Sequence, residues 1–185
     1  MYKYVGDISV LSHNIILKYS NNFICAVDCT LGNGHDTDFL AKHFKHVYAF
    51  DIQEIATENY LKNSNKNTVV INDSHDKILQ YINEPVDCFI YNLGFLPGGD
   101  KNITTKAVST INSINAALEL LTNGGIIAIS IYCGHAEGKI EREVLLDFAS
   151  NLNKHEYGVM LHSFLNRSKD APMLLIIEKN KDERN

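Results

Sequence analysis

No stretch of this chain is apolar for long enough to cross a membrane. The longest runs, residues 126–131 with one serine and residues 173–177, are strand-sized. The N-terminal stretch MYKYVGDISVLSHNIILKYS has no basic-then-apolar leader pattern and no small-residue cleavage site, so a cytoplasmic protein is expected. Cysteine is scarce, and Cys25, Cys29, Cys88 and Cys133 include no Cys-x-x-Cys pair. Cys25 and Cys88 lie inside apolar runs, so reduced, buried thiols are expected rather than disulfides or zinc. Eight histidines are scattered without a ligand-like pair on one helix face, so no metal is expected. With three prolines, the chain has no proline-rich linker, and it has no internal repeat or low-complexity tract. It also lacks an excess of basic charge: the net charge is −5 and the pI about 5.9. That argues against a general nucleic-acid binder and leaves room only for a local basic patch.

What is present is an ordinary globular balance, 45% hydrophobic and 21% charged, in 185 residues. That length favours one domain with one sizeable core. Short apolar runs alternate with helical periods. Strands are expected at residues 23–28, 46–51, 68–72, 86–92, 126–131, 157–165 and 173–179. Helices are expected at residues 12–20, 36–43, 53–63, 76–82, from Thr104 to near Thr122, and at 140–152. Ile15, Ile16 and Tyr19 would form the buried face of the first helix, and Ile55, Tyr60 and Leu61 would anchor the third. Thr104 would cap the long helix, which carries Val108, Ile111, Leu118 and Leu121 at helical spacing. Asn123-Gly124-Gly125 would close it. Alternation of this kind implies right-handed crossovers and a parallel sheet covered on both faces. The last two strands have no helix between them and should form an antiparallel hairpin. The expected class is α/β: a Rossmann-like, seven-stranded, mostly parallel sheet with a C-terminal antiparallel hairpin.

The run VDCTLGNGHDTDFL, residues 27–40, leaves the first strand through a glycine-bearing turn. Gly32 and Gly34 let the backbone approach a ligand at the carboxyl end of that strand, where open α/β sheets bind. Thr37 stands where a dinucleotide fingerprint has its third glycine, which disfavours a pyrophosphate cradle. Asp51 closes the second strand, where its carboxylate can accept both hydroxyls of a ribose. Asp28 is placed to accept from an amino group, and Ile52 to cover an adenine face. Asp73, Ser74 and His75, after the third strand, reach the adenine edge. With Gly32, Gly34, Thr30, Asn33, Asp36, Thr37, Gln53 and Asn92 they make up the expected cofactor set. Singly, each acid could be a cap or turn residue; together they point to a nucleoside cofactor without phosphate.

Seven strands ending in a hairpin is the layout of the class I methyltransferases. The runs CTLGNGHDTDFLA, FDIQ at residues 50–53 and NLGFLPGGDK at residues 92–101 are similar to one family within that class. It is the bacterial tRNA 5-(aminomethyl)-2-thiouridine methyltransferases, long labelled rRNA methylases. The resemblance extends to Tyr132-Cys-Gly-His135 and to residues 166–179. It implies S-adenosyl-L-methionine as cofactor, the tRNA anticodon stem-loop as partner, and a homodimer. The implied reaction methylates the aminomethyl nitrogen of a modified wobble uridine. Two stretches depart from the family's habit: Glu137-Gly138 replaces a double glycine, and the 166–172 tail lacks its double proline.

An alkylamine is mostly protonated at neutral pH, and an ammonium has no lone pair to alkylate. The site must orient the neutral amine and take up its proton. The side-chain oxygen of Asn92 and the Leu93 carbonyl can accept from the amine. Asn92-Leu-Gly-Phe95 keeps the Asn and the aromatic of the Asn-Pro-Pro-aromatic motif common in amino-methyltransferases. Phe95 can pack on the base, and Gly94 permits a close turn. Asp100 and His135 are proton-acceptor candidates, or else a loop acceptor and a structural histidine. Lys101 meets a phosphate or solvent, and Tyr132 stacks on a base or caps its strand. Lys139, Arg142 and Arg167 are further candidates for RNA contacts. The competing readings are methylation of rRNA or of a small amine, a non-catalytic cofactor-binding module, and a nicotinamide oxidoreductase.

Overall fold

The computed structural model describes residues 2, 4–94, 104–134 and 136–180. Six α-helices and seven strands are described: α1 (Ile8–Tyr19), β1 (Cys25–Asp28), α2 (His35–His43), β2 (His46–Phe50), α3 (Glu54–Leu61), β3 (Thr68–Ile71), α4 (Ile78–Tyr81), β4 (Val86–Leu93), α5 (Ala107–Leu120), β5 (Leu121–Ile131), α6 (Ala136–Ser150), β6 (Tyr157–His162) and β7 (Met173–Lys179). A 3-10 turn, His75–Lys77, leads into α4. The strands form one sheet in the order β3-β2-β1-β4-β5-β7-β6. The first five are parallel, and β7 runs antiparallel to both β5 and β6. This is the expected mostly parallel sheet with its terminal hairpin.

Period-two alternation splits the core between the two faces. Phe89 and Tyr91 of β4 pack on one side with Ile127 and Ile129 of β5, under Ile114 and Leu118 of α5 and Leu145 of α6. Cys88 and Ile90 pack on the other with Ile126 and Ala128, under Ile16 of α1 and Leu40 of α2. Both faces of the central strands are covered, which is why these strands read as continuous apolar runs. All four cysteines are buried and free. Among the described residues, no helix is long and apolar enough to cross a membrane, and no group of three or more His, Cys, Asp or Glu is placed to hold a metal.

Several local expectations are corrected. Helix α1 begins at Ile8, because the Asp7 carboxylate accepts from the backbone N–H of Ser9 (2.7 Å) and Val10 (3.3 Å). Its buried positions are Ile8, Ser12 and Ile16, spaced by four, while Tyr19 is exposed. In α3 the small residues Ala56 and Thr57 are buried, and Ile55 and Leu61 face solvent. Helix α5 starts at Ala107 with Lys106 at its cap, so Thr104 does not cap it, and Val108 is exposed. Asn123-Gly124-Gly125 does not close that helix. It lies within β5, where the register against β4 shifts between Val86 and Cys88.

The turn after β1 depends on Gly34, the N-cap of α2, at φ 82°. A Cβ there would sit 2.6 Å from Cε2 of Tyr60, whose hydroxyl donates to Asp38 (2.9 Å). Gly34→Ala combines a left-handed alanine with a ring that must move, and should destabilise the fold by about 2 kcal/mol. Urea unfolding measures it; a loss below about 0.5 kcal/mol would mean that Tyr60 yields freely.

Candidate active site at the carboxyl edge of the sheet

Neighbouring β1 and β4 are followed by chain leaving in opposite directions, to β2 and to β5, which opens a crevice beyond their carboxyl ends. A cavity of about 780 Å³ lies there. Its wall includes Thr30, Gly32, Asn33, Asp36, Asp51, Ile52, Gln53, Asp73, Ser74, His75, Asn92, Leu93, Gly94 and Tyr132, all expected from the sequence. Sequence reasoning missed the contribution of α1, which brings Ser9, Val10 and His13 to the wall, with Asp7 beside them. It also missed Thr105, Lys106 and Ser109. The N-capping Asp7 was the available signal for α1.

Asp51 follows β2 directly, with one oxygen accepting from Gly32 N (2.8 Å) and the other from Gln53 N (2.9 Å). The glycine turn is thus tied to the residue expected to hold a ribose. Ile52 stands beside it, largely exposed, as an apolar cover. Asp73 is engaged by Lys77 (2.6 Å) and Tyr81 (2.8 Å), and those bonds hold its carboxyl down at about 2. His75 is buried, and burial lowers its pKa. Because a carbonyl only accepts, its Nδ1 carries the proton that it donates to Cys29 O (2.9 Å). Nε2 remains an acceptor.

Asp28, Gly34 and Thr37 are not on the cavity wall. Asp28 is fully buried, and its two oxygens accept from Thr30 N (3.0 Å) and Thr37 Oγ1 (2.6 Å), so it builds the turn. Desolvation first, then the charge of Asp36, raise its pKa from 3.8 to about 7. The folded state thus keeps a proton that the unfolded chain gives up. The stability this contributes is complete below 3.8 and is lost as pH rises through about 7. Asp28→Asn removes that dependence. Its melting temperature relative to wild type should rise between about pH 5 and about pH 8. A difference that stays flat over that interval in thermal melts would contradict the assignment.

At the far side, Asn92 is fixed by its backbone N–H donating to Thr30 Oγ1 (2.7 Å), and its side-chain Nδ2 donates to Asp36. Gly94 N donates to Thr105 Oγ1 (2.9 Å), and Thr105 N to Gly94 O (3.1 Å). The buried Glu141 of α6 accepts from Thr105 (2.7 Å) and Thr110 of α5 (2.5 Å), tying this junction to both helices. Phe95, Asp100, Lys101 and His135 lie outside the described residues. Lys139, Arg142 and Arg167 are away from the cavity wall. Lys139 pairs with Asp170 (3.2 Å), Arg142 faces Glu143 (3.8 Å), and Arg167 sits over Phe164 while donating to Val5 O (3.2 Å).

Among the described residues, four carboxylates (Asp7, Asp36, Asp51 and Asp73) and one lysine, Lys106, line the cavity. This wall suits a cationic nucleoside and gives a pyrophosphate little to pair with. A sheet of this order with a terminal hairpin and an acid directly after β2 has the class I methyltransferase fold. The family model described as "Putative rRNA methylase" matches residues 47–178, and the chain belongs to that family. A putative rRNA methylase from Clostridium thermocellum is 35% identical, with a TM-score of 0.89 over 95% of this chain and 98% of that one. A putative methyltransferase from Streptococcus mutans, in complex with SAH, is 36% identical, with a TM-score of 0.85 over 95% and 99%. The chloroplastic tRNA (mnm(5)s(2)U34)-methyltransferase of Arabidopsis thaliana is 33% identical over 174 residues, 84% of this chain. The chain spans 63% of the length of that relative.

Proposed function

We propose that this protein is an S-adenosyl-L-methionine-dependent N-methyltransferase that methylates 5-aminomethyl-2-thiouridine at the tRNA wobble position, giving 5-methylaminomethyl-2-thiouridine. The observation that carries this reading is the carboxylate-rich cavity with Asn92 at the end of β4. The cofactor is a sulfonium and the acceptor starts as an ammonium, so both are cations matched to that wall. The Arabidopsis relative's name supports the choice of acceptor, and the complex of the Streptococcus mutans relative with SAH supports the cofactor.

When bound, the cofactor would supply a sulfonium methyl carbon open to attack by an amine lone pair, the electron pair of the broken C–S bond leaving with sulfur. Asp51 would hold the ribose and Ile52 cover the adenine, with Asp73, Ser74 and His75 at the adenine edge. Asn92 Oδ1 and the Leu93 carbonyl would accept N–H bonds from the amine, aiming its lone pair. Phe95, Asp100, Lys101, Tyr132 and His135 are assigned to the base, a phosphate and the departing proton. Lys139, Arg142 and Arg167 are assigned to the anticodon stem-loop. The chain is taken to act as one domain, as a homodimer, in the cytoplasm.

Mass spectrometry of tRNA nucleosides from a deletion strain tests the reading. The aminomethyl nucleoside should accumulate and its methylated product disappear. Unchanged levels of both would refute the tRNA assignment.

A further inference from the structure

Three side chains from three elements meet on the cavity wall: His13 of α1, Asp36 of α2 and Asn92 of β4. Asp36 is the bridge. One of its oxygens lies 2.5 Å from His13 Nε2, and the other accepts from Asn92 Nδ2. The His13 ring is stacked flat on Phe39, with centroids 3.7 Å apart and planes 3° from parallel. Helix α1 is itself seated by the buried Ile8 and Ile16. None of this was assigned from the sequence, where His13 had no role and Asp36 was grouped with the cofactor contacts.

A carboxylate has lone pairs and no proton to give. Asn92 must therefore turn its NH2 towards Asp36, which leaves Oδ1 as the amide atom free for another partner. By the same rule His13 Nε2 must carry a hydrogen. An Asp36 released by His13 could swing towards the acceptor and pair with its ammonium, holding the unreactive form. With both oxygens engaged, that competing pair is suppressed and the amide cannot flip.

We propose that His13 and Asp36 are positioning residues that lock the Asn92 amide with its oxygen towards the acceptor amine. The proposal rests on the amine-methylation reading, which it extends to a named hydrogen-bond chain. It makes α1 part of the active site.

The test compares His13→Phe with His13→Gln. Phenylalanine keeps the stack on Phe39 and loses the donor; glutamine loses the stack and places a donor at a similar reach. With labelled S-adenosyl-L-methionine and tRNA carrying the aminomethyl nucleoside, His13→Phe should lower kcat about 10-fold or more, with the cofactor KM within about 3-fold of wild type. His13→Gln should recover most of that loss. A second readout needs no substrate: the side-chain NH2 resonances of Asn92 in 15N-labelled protein, assigned by their loss in Asn92→Asp. The proton facing Asp36 should be shifted downfield in wild type and His13→Gln, and relaxed towards a free amide in His13→Phe. Wild-type turnover in His13→Phe, with the Asn92 proton still shifted downfield as in wild type, would overturn the proposal, because packing would then suffice. So would a His13→Gln variant as slow as His13→Phe, because the imidazole itself would then be required. If the wild-type protein transfers no methyl to this tRNA, the substrate reading falls, and the amide spectra alone decide whether the lock exists.

Discussion

Asp51→Ala is expected to weaken S-adenosyl-L-methionine binding about 100-fold or more. The carboxylate is expected to accept from two ribose hydroxyls, and hydrogen bonds to a charged acceptor contribute about 1.5–3 kcal/mol each. At about 1.4 kcal/mol per factor of ten, two such bonds exceed 100-fold. A second loss adds to this, because Asp51 also holds Gly32 N and Gln53 N. The cradle and the expected ribose acceptor are one side chain. Asp51→Asn should not rescue, since its amide NH2 would have to face one of those two N–H groups, donor against donor. Titration calorimetry measures the effect, and an affinity within about 3-fold of wild type would remove Asp51 from the site.

Asn92→Ala is expected to lower the rate of methyl transfer about 100-fold while changing cofactor affinity by less than about 3-fold. Its backbone remains tied to Thr30, so the edge of β4 keeps its place. What disappears is the oxygen proposed to aim the amine, together with the partner of one Asp36 oxygen. Asn92→Asp should be no better, because a second carboxylate would face Asp36 where an NH2 had donated. Single-turnover transfer separates this rate from binding. Equal loss of affinity and rate would show that Asn92 serves the cofactor instead.

The fold was largely legible because the central strands are buried on both faces and announce themselves as apolar runs. The hairpin followed from the absence of a helix between residues 165 and 173. Glycine turns and acids at strand ends marked the cofactor side, since strand ends place side chains without help from distant elements. Side chains that act through crossings were not legible. His13 lies 23 residues before Asp36, and only the packing of α1 on the sheet brings them together. Apolarity also misled where space decided. In α3 the sheet accepts Ala56 and Thr57, leaving the larger Ile55 and Leu61 outside. Gly124 was read as a helix end, but the chain uses it inside β5, against Asn21, whose Cγ lies 2.7 Å from where a Cβ would be.

The junction of Gly94, Thr105 and Glu141 has a consequence for how such proteins diverge. Two backbone-linked bonds join Gly94 to Thr105, and a buried acid on α6 fastens the joint. The segment between them is therefore an insert closed at its own base. Its length and sequence can drift without displacing β4 or α5, and without disturbing Asp51 or the glycine turn. Exchanging residues 95–104 between relatives should therefore leave cofactor affinity as it was.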